Sequence, residues 1–255
     1  MKRIGWSAAL LGLLVVLAAC PPLRRPVVPL RTLDFPAADA RAAAAGALIV
    51  CLPGLYDGPR DFERSGVVDV LRRQRPDATV ITVDAHFGYY RRQTVIDRLW
   101  EDVLQPARQR GHGEIWLVGV SLGGFGSLLT AERHPQVITG VVALAPYVGP
   151  RELLRAIHDA GGPRRWQASD PSDTMQRLWQ WLQREPEAPA ASHSQRPVLF
   201  LGYGRDDRAA GDHATLAGLL PDERVAVVDG GHDWKAWRRA LEVLLTRGAL
   251  GRPSE

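Results

Sequence analysis

Gly119-Val120-Ser121-Leu122-Gly123 is the stretch on which the fold of this chain turns. The continuous apolar run Ile115–Val118 leads into it. A stretch with helical spacing, Leu122 to about Glu132, follows it, with Leu122, Phe125, Leu128 and Leu129 on one face. A G-x-S-x-G pentapeptide between a buried strand and a helix predicts a sharp turn that lifts the serine oxygen above a sheet. The glycines answer a steric need. Gly119 and Gly123 remove side chains that would collide where strand and helix cross, and Gly124 allows still closer approach.

Outward from the pentapeptide, short apolar runs recur at Ala47–Leu52, Thr79–Val83, Val137–Leu144, Val198–Leu201 and Val225–Val228. Runs of this kind mark strands buried on both faces. Helical patterns separate most of them, one over Val67–Arg73 and another through Ile96, Leu99, Trp100, Val103 and Leu104. Strands alternating with helices predict an α/β architecture, a mostly parallel central sheet with helices on both faces. One interval, about 147–195, is too long for a simple crossover. Its apolar stripe Met175, Leu178, Trp179 and Leu182 predicts a helix opening at Ser172 or Asp173. We read this interval as a helical cap insertion, the other reading being a helical excursion away from the site.

A serine hydroxyl is a weak nucleophile and needs a base oriented by a carboxylate. Downstream of Ser121 both residue types follow predicted strands. Gly202-Tyr203-Gly204-Arg205-Asp206-Asp207 follows one, and Asp229-Gly230-Gly231-His232 follows the next. Loops at the carboxyl ends of parallel strands are where such sheets place their sites. Asp206 and Asp207 both compete for the acid position. The remaining histidines lack such placement; for His86, Tyr89 and Tyr90 packing or exposure accounts best, the other reading being that they line the pocket. Trp234 and Trp237 have core spacing, and Trp166, Trp179 and Trp181 fall in the insertion.

From about Ala47 to Leu245 the chain resembles the α/β-hydrolase family, and within it the esterase-like serine hydrolases. The resemblance rests on the Ser121 pentapeptide and on the order Ser, Asp, His. It implies Ser121 as nucleophile, His232 as base and Asp207 as orienting acid, with Asp206 as the alternative; counting three residues from Gly204 favours Asp207. It further implies an oxyanion hole of two backbone N–H groups, one from Leu122 and one from the Leu52-Pro53-Gly54-Leu55-Tyr56 loop, there Leu55. Many relatives carry His-Gly where this chain has Pro53-Gly54. The implied activity is hydrolysis of a carboxylic ester of a small acyl substrate through an acyl-enzyme. The same residues would serve a thioesterase, amidase or peptidase, and a hydrolase-like scaffold can also act as a non-catalytic binding or envelope protein.

At the amino end Lys2 and Arg3 precede an apolar run from Ile4 to Ala19, which has the form of a signal peptide. Leu17-Ala18-Ala19-Cys20 resembles the bacterial lipobox. That resemblance implies cleavage before Cys20, acylation of its sulfur, and a lipid-anchored protein of the cell envelope. Pro21 rather than Asp after the cysteine leans toward the outer membrane, facing the periplasm. The alternative is a plain secretory signal with a chance cysteine. The expected organisation is residues 1–19 as signal peptide, 20–45 as lipidated cysteine and Pro- and Arg-rich tether, and 46–250 as the hydrolase domain.

The 255 residues, 45% of them hydrophobic and 24% charged, are an ordinary globular balance and suffice for one full core. All 32 basic residues except Lys2 and Lys235 are Arg, interspersed with Asp and Glu. They form no basic stripe of the kind nucleic acid requires. Two cysteines cannot build a disulfide framework, and Cys51 among apolar neighbours reads as a buried, inert thiol. No metal site is expected, since no ligand-spaced cluster occurs, and no cofactor motif is present.

Overall fold

A computed structural model describes residues 24–37, 46–184 and 196–251. Among these residues seven strands form one sheet in the order β1-β3-β2-β4-β5-β6-β7. They are β1 (Thr32–Phe35), β2 (Leu48–Leu52), β3 (Thr79–Val83), β4 (Ile115–Val120), β5 (Gly140–Leu144), β6 (Val198–Gly204) and β7 (Val225–Val228). All neighbours pair in parallel except β1, which runs antiparallel along β3. Every residue of β2, β4 and β5 is buried, as strands covered by helices on both faces must be.

Among the described residues the helices covering the sheet include α1 (Pro59–Arg64), α2 (Val67–Gln74), α3 (Phe87–Arg91), α4 (Val95–Leu99), α5 (Leu122–Arg133), α6 (Arg151–Asp159), α7 (Thr174–Leu182), α8 (Ala210–Ala217) and α9 (Trp234–Thr246). The helical path of α4 continues through a π turn, Trp100–Leu104, into Gln105–Gln109. The chain leaves β2 toward β3 and later returns to place β4 on the other side of β2. That reversal opens a crevice at the carboxyl ends of β2 and β4, where α/β sheets bind their ligands. The register brings Leu52 beside Gly119, Val120 beside Leu144, Leu144 beside Gly202, and Gly204 beside Val228. The loops after β2, β4, β5, β6 and β7 therefore emerge along one rim.

Two expectations are corrected. The tether was expected to run to residue 45, but residues 24–37 belong to the folded body. Arg24 forms a two-pronged ion pair with Asp84, at 2.6 and 3.0 Å. The Tyr89 hydroxyl accepts from Val27 N–H and donates to its carbonyl, Leu30 N–H donates to Asp102, and Leu30 is buried. β1 then closes the edge of β3, hiding backbone groups that would otherwise invite pairing with another chain. The strand expected from Val137 starts only at Gly140. Val137 and Ile138 are buried, but their N–H groups turn back to the His134 carbonyl.

The 147–195 insertion contains α6 and α7 as far as it is described; residues 185–195 lie outside the described residues. Asp173 caps α7 by accepting from Met175 and Gln176 N–H. Trp179 is fully buried and donates to the Val148 carbonyl at 2.8 Å, and Arg177 pairs with Glu132 of α5 at 3.0 Å. The insertion is thus packed onto α5 and the β5 loop. His86 and Tyr89 are also structural. His86 caps α3 by accepting from Gly88 N–H, and Tyr89 holds the Val27 segment. Cys51 is fully buried, and that burial pushes its thiol far above the ordinary range. The expected signal peptide and Cys20 lie outside the described residues.

Candidate active site

Ser121 sits between β4 and α5 with φ 51° and ψ −115°, a strained conformation for a residue with a side chain. Backbone bonds on three sides hold it there. Its N–H donates to the Leu144 carbonyl at 2.9 Å, and its carbonyl accepts from Phe125 N–H at 3.2 Å and Tyr147 N–H at 3.0 Å. The glycines work as the sequence implied. A Cβ on Gly123 would stand 2.0 Å from the Leu52 carbonyl oxygen, and one on Gly119 would stand 2.3 Å from that of Gly123. The turn forms only because both side chains are missing.

The loops that carry Asp207 and His232 are laced together by their backbones. Arg205 N–H donates to Val228 and Asp206 N–H to Gly230. A Cβ on Gly204 would lie 2.2 Å from the Gly230 carbonyl oxygen, and Gly230 itself has φ 123°. This approach brings residues 207 and 232 together. Asp207 Oδ2 is 2.6 Å from His232 Nδ1, and His232 Nε2 is 2.9 Å from Ser121 Oγ. A carboxylate only accepts, so the proton of neutral His232 lies on Nδ1. Nε2 is left as a lone pair facing the serine hydroxyl. Asp207 is fully buried, its Oδ1 accepting from Ala209 N–H at 2.9 Å, whereas Asp206 is exposed on the turn. Of the two candidate acids it is Asp207 that reaches the imidazole.

Leu122 is the first residue of α5, so its N–H has no acceptor four residues back within the helix. Leu55 lies in the loop after β2, half-buried. That loop crosses close to Ser121: a Cβ on Gly54 would be 3.5 Å from Ser121 Cβ. Both expected oxyanion segments therefore adjoin Ser121.

Of three further neighbours, Asp57 and His213 carried no motif and were not foreseen, while Trp237 was expected as core. Asp57, on the same loop, accepts from Trp234 Nε1 at 2.9 Å and ties the loop to the start of α9. Burial raises the Asp57 carboxyl above its ordinary range; the Trp234 bond pulls it back, Asp61 pushes it up, and His232 pulls it down. Trp237 meets the His232 ring edge to face, centroids 5.0 Å apart, so it walls that imidazole as well as filling the core. His213 of α8 lies buried behind Asp207. Further along α5, Phe125 helps wall a cavity of about 360 Å³ with Tyr90, Ile96, Leu129 and Met175. Among the described residues there is no cluster of His, Cys, Asp and Glu able to hold a metal ion.

Comparison with known proteins agrees with this architecture. Residues 88–247 match the Esterase family, described as "Putative esterase". No curated protein matches the chain. Among solved structures, fluorophosphonate-binding serine hydrolase F of Staphylococcus aureus superposes with a TM-score of 0.58 at 14% identity, over 86% of this chain and 98% of that one. The S-formylglutathione hydrolase of the same organism gives 0.57 at 14%, over 88% and 97%. Est1E from Butyrivibrio proteoclasticus gives 0.56 at 12%, over 87% and 94%. At such identities the likeness concerns the fold alone. With its matched residues running from α3 to the end of α9, this chain belongs to the Esterase family and is a hydrolase built on the α/β-hydrolase fold.

Proposed function

We propose that the protein is a serine hydrolase of carboxylic esters that works through an acyl-enzyme. The observation that carries the reading is the unbroken relay of 2.9 and 2.6 Å from Ser121 through His232 to Asp207. Ser121 Oγ attacks the ester carbonyl while its proton passes to His232 Nε2. Asp207 balances the imidazolium so formed. The tetrahedral oxyanion accepts from Leu122 and Leu55 N–H, the former at a helix start whose dipole favours negative charge. His232 then returns its proton to the departing alcohol. Water repeats the sequence, giving its proton to His232 and its oxygen to the acyl group, and Ser121 is restored.

The test is labelling with a fluorophosphonate, followed by turnover of a panel of acyl esters, thioesters and amides. Ser121→Ala loses the label and about 10⁴–10⁶-fold in rate, by analogy with other serine triads. Folded parent protein that takes no label and turns over no acyl compound is instead a binding protein on a hydrolase scaffold. We propose further that acylated Cys20 anchors the protein in the envelope, in the outer membrane facing the periplasm. A Cys20→Ser precursor then keeps its signal peptide, and processing to mature size refutes the anchor.

A further inference from the structure

The acid of the relay has a second imidazole behind it. His213 is 1% exposed, and its Nε2 lies 3.1 Å from the Pro146 carbonyl oxygen. A carbonyl can only accept, so Nε2 carries the hydrogen. In the neutral ring Nδ1 is then a bare lone pair. It is buried and has no hydrogen-bond partner among the described residues. It stands 4.0 Å from Asp207 Oδ2, the same oxygen that receives His232 Nδ1–H. A buried acceptor facing a carboxylate stabilises nothing, and well-packed interiors rarely leave one unmatched.

We propose that His213 is a positioning residue for the triad: neutral, it braces the Asp207 turn and α8 against the nucleophile's backbone, and protonated, it draws the carboxylate away from His232. The proposal rests on the catalytic reading of Ser121, His232 and Asp207. The brace is short. His213 bonds Pro146, and the next residue, Tyr147, donates its N–H to the Ser121 carbonyl. At the other end α8 starts from the Asp207 turn, where Ala210 N–H donates to the Asp207 carbonyl and His213 N–H to that of Ala209.

A proton arriving from solvent on Nδ1 turns the lone pair into a donor aimed at Oδ2. One carboxylate oxygen then serves two imidazole rings, and a second positive charge opposes the imidazolium that attack must create on His232. The groups bearing on His213 are few. Asp207 faces it from the β6 turn and His232 from the β7 loop, with Asp212 on its own helix. The Tyr203 ring of β6 packs 5.2 Å away, and the β5 loop offers the Pro146 carbonyl. Burial lowers the ring's proton affinity below the ordinary histidine value, while Asp207 raises it. The neutral, bracing form therefore holds near neutrality and the protonated form belongs to acid.

The test is kcat/KM for a soluble nitrophenyl ester from about pH 8 down to about pH 4, in parent and His213→Gln. Gln keeps a donor within reach of Pro146 and removes the titrating nitrogen. Below both ionisations the parent rate falls about 100-fold per pH unit, because two protons inactivate, and the variant falls about 10-fold. Equal steepness in the two proteins, with or without a uniform loss in the variant, overturns the proposal and leaves a structural role only. Circular dichroism at each pH confines the comparison to folded protein. Where the variant does not fold, ¹⁵N ring shifts of the parent decide. Protonation of His213 that moves the His232 signals in the same step upholds the proposal, and protonation without such a response overturns it. An active Ser121→Ala protein would instead sink the catalytic reading itself, so the two failures are separable.

Discussion

Replacing Asp207 by asparagine exchanges one oxygen of the relay for an NH₂ group, and the surroundings dictate how the amide sits. Oδ1 of Asp207 accepts from Ala209 N–H at 2.9 Å, so that side requires an oxygen. The introduced NH₂ is therefore forced toward His232, where Oδ2 of the parent lies 2.6 Å from Nδ1. A donor there makes Nδ1 the acceptor and moves the ring proton to Nε2. The hydrogen then points at Ser121 Oγ, and no base remains to take the serine proton. Flipping the amide only exchanges this fault for two donors facing each other at Ala209. The same fault in another serine triad costs about 10⁴ in kcat, which corresponds to about 5.5 kcal/mol of transition-state stabilisation. Turnover of a nitrophenyl ester by Asp207→Asn should fall by that order with KM little changed, and ¹⁵N shifts should report Nε2–H on His232. Asp206→Asn, on an exposed turn, should stay within a few-fold of the parent. Equal losses in the two variants, or folded Asp207→Asn protein that keeps a tenth of the parent rate, refute the reasoning.

Two further perturbations test other parts of the structure. Leu30→Ala removes a buried side chain from the segment before β1 and should cost about 2–4 kcal/mol, lowering Tm by about 5–15 °C in a thermal scan; an unchanged Tm would return that segment to the status of a tether. Asp57 has a folded-state pKa above its unfolded value, so the folded state binds more protons than the unfolded one through that interval. Its carboxyl thus lowers stability as pH rises out of the ordinary carboxylate range, and the loss is complete above the folded pKa. Asp57→Asn should be more stable than the parent at neutral pH, the gain vanishing in acid below the ordinary carboxylate range; a gain of equal size at every pH would exclude the protonation argument.

The elbow was legible in the sequence because three independent signals coincide within a few residues: a wholly apolar strand, paired glycines and a helical stripe. The pairing of Asp207 with His232 depended on loops that end two recognisable strands, and Gly204 and Gly230 mark where those loops approach. β1 escaped because its four residues alternate between exposed and half-buried at a sheet edge, which gives no apolar run. Pro and Arg around it carry the composition of a linker, and partners distant in sequence, Asp84, Tyr89 and Asp102 among them, give that segment a fixed place. Val137 and Ile138 misled in the opposite sense, since burial in a turn leaves the same apolar signature as burial in a strand. His213 and Asp57 act through contacts that no local spacing encodes.

The antiparallel path of β1 fixes where the chain enters the fold. Thr32 pairs with Val83 and Phe35 with Val80, so residues 24–31 lie at the carboxyl ends of the parallel strands, along the edge that also bears Ser121. Cys20 precedes Arg24 by four residues, a leash of at most about 14 Å when fully drawn out. An acyl group on that cysteine, as proposed above, would keep this edge of the sheet, and Ser121 with it, on a short leash from the headgroups.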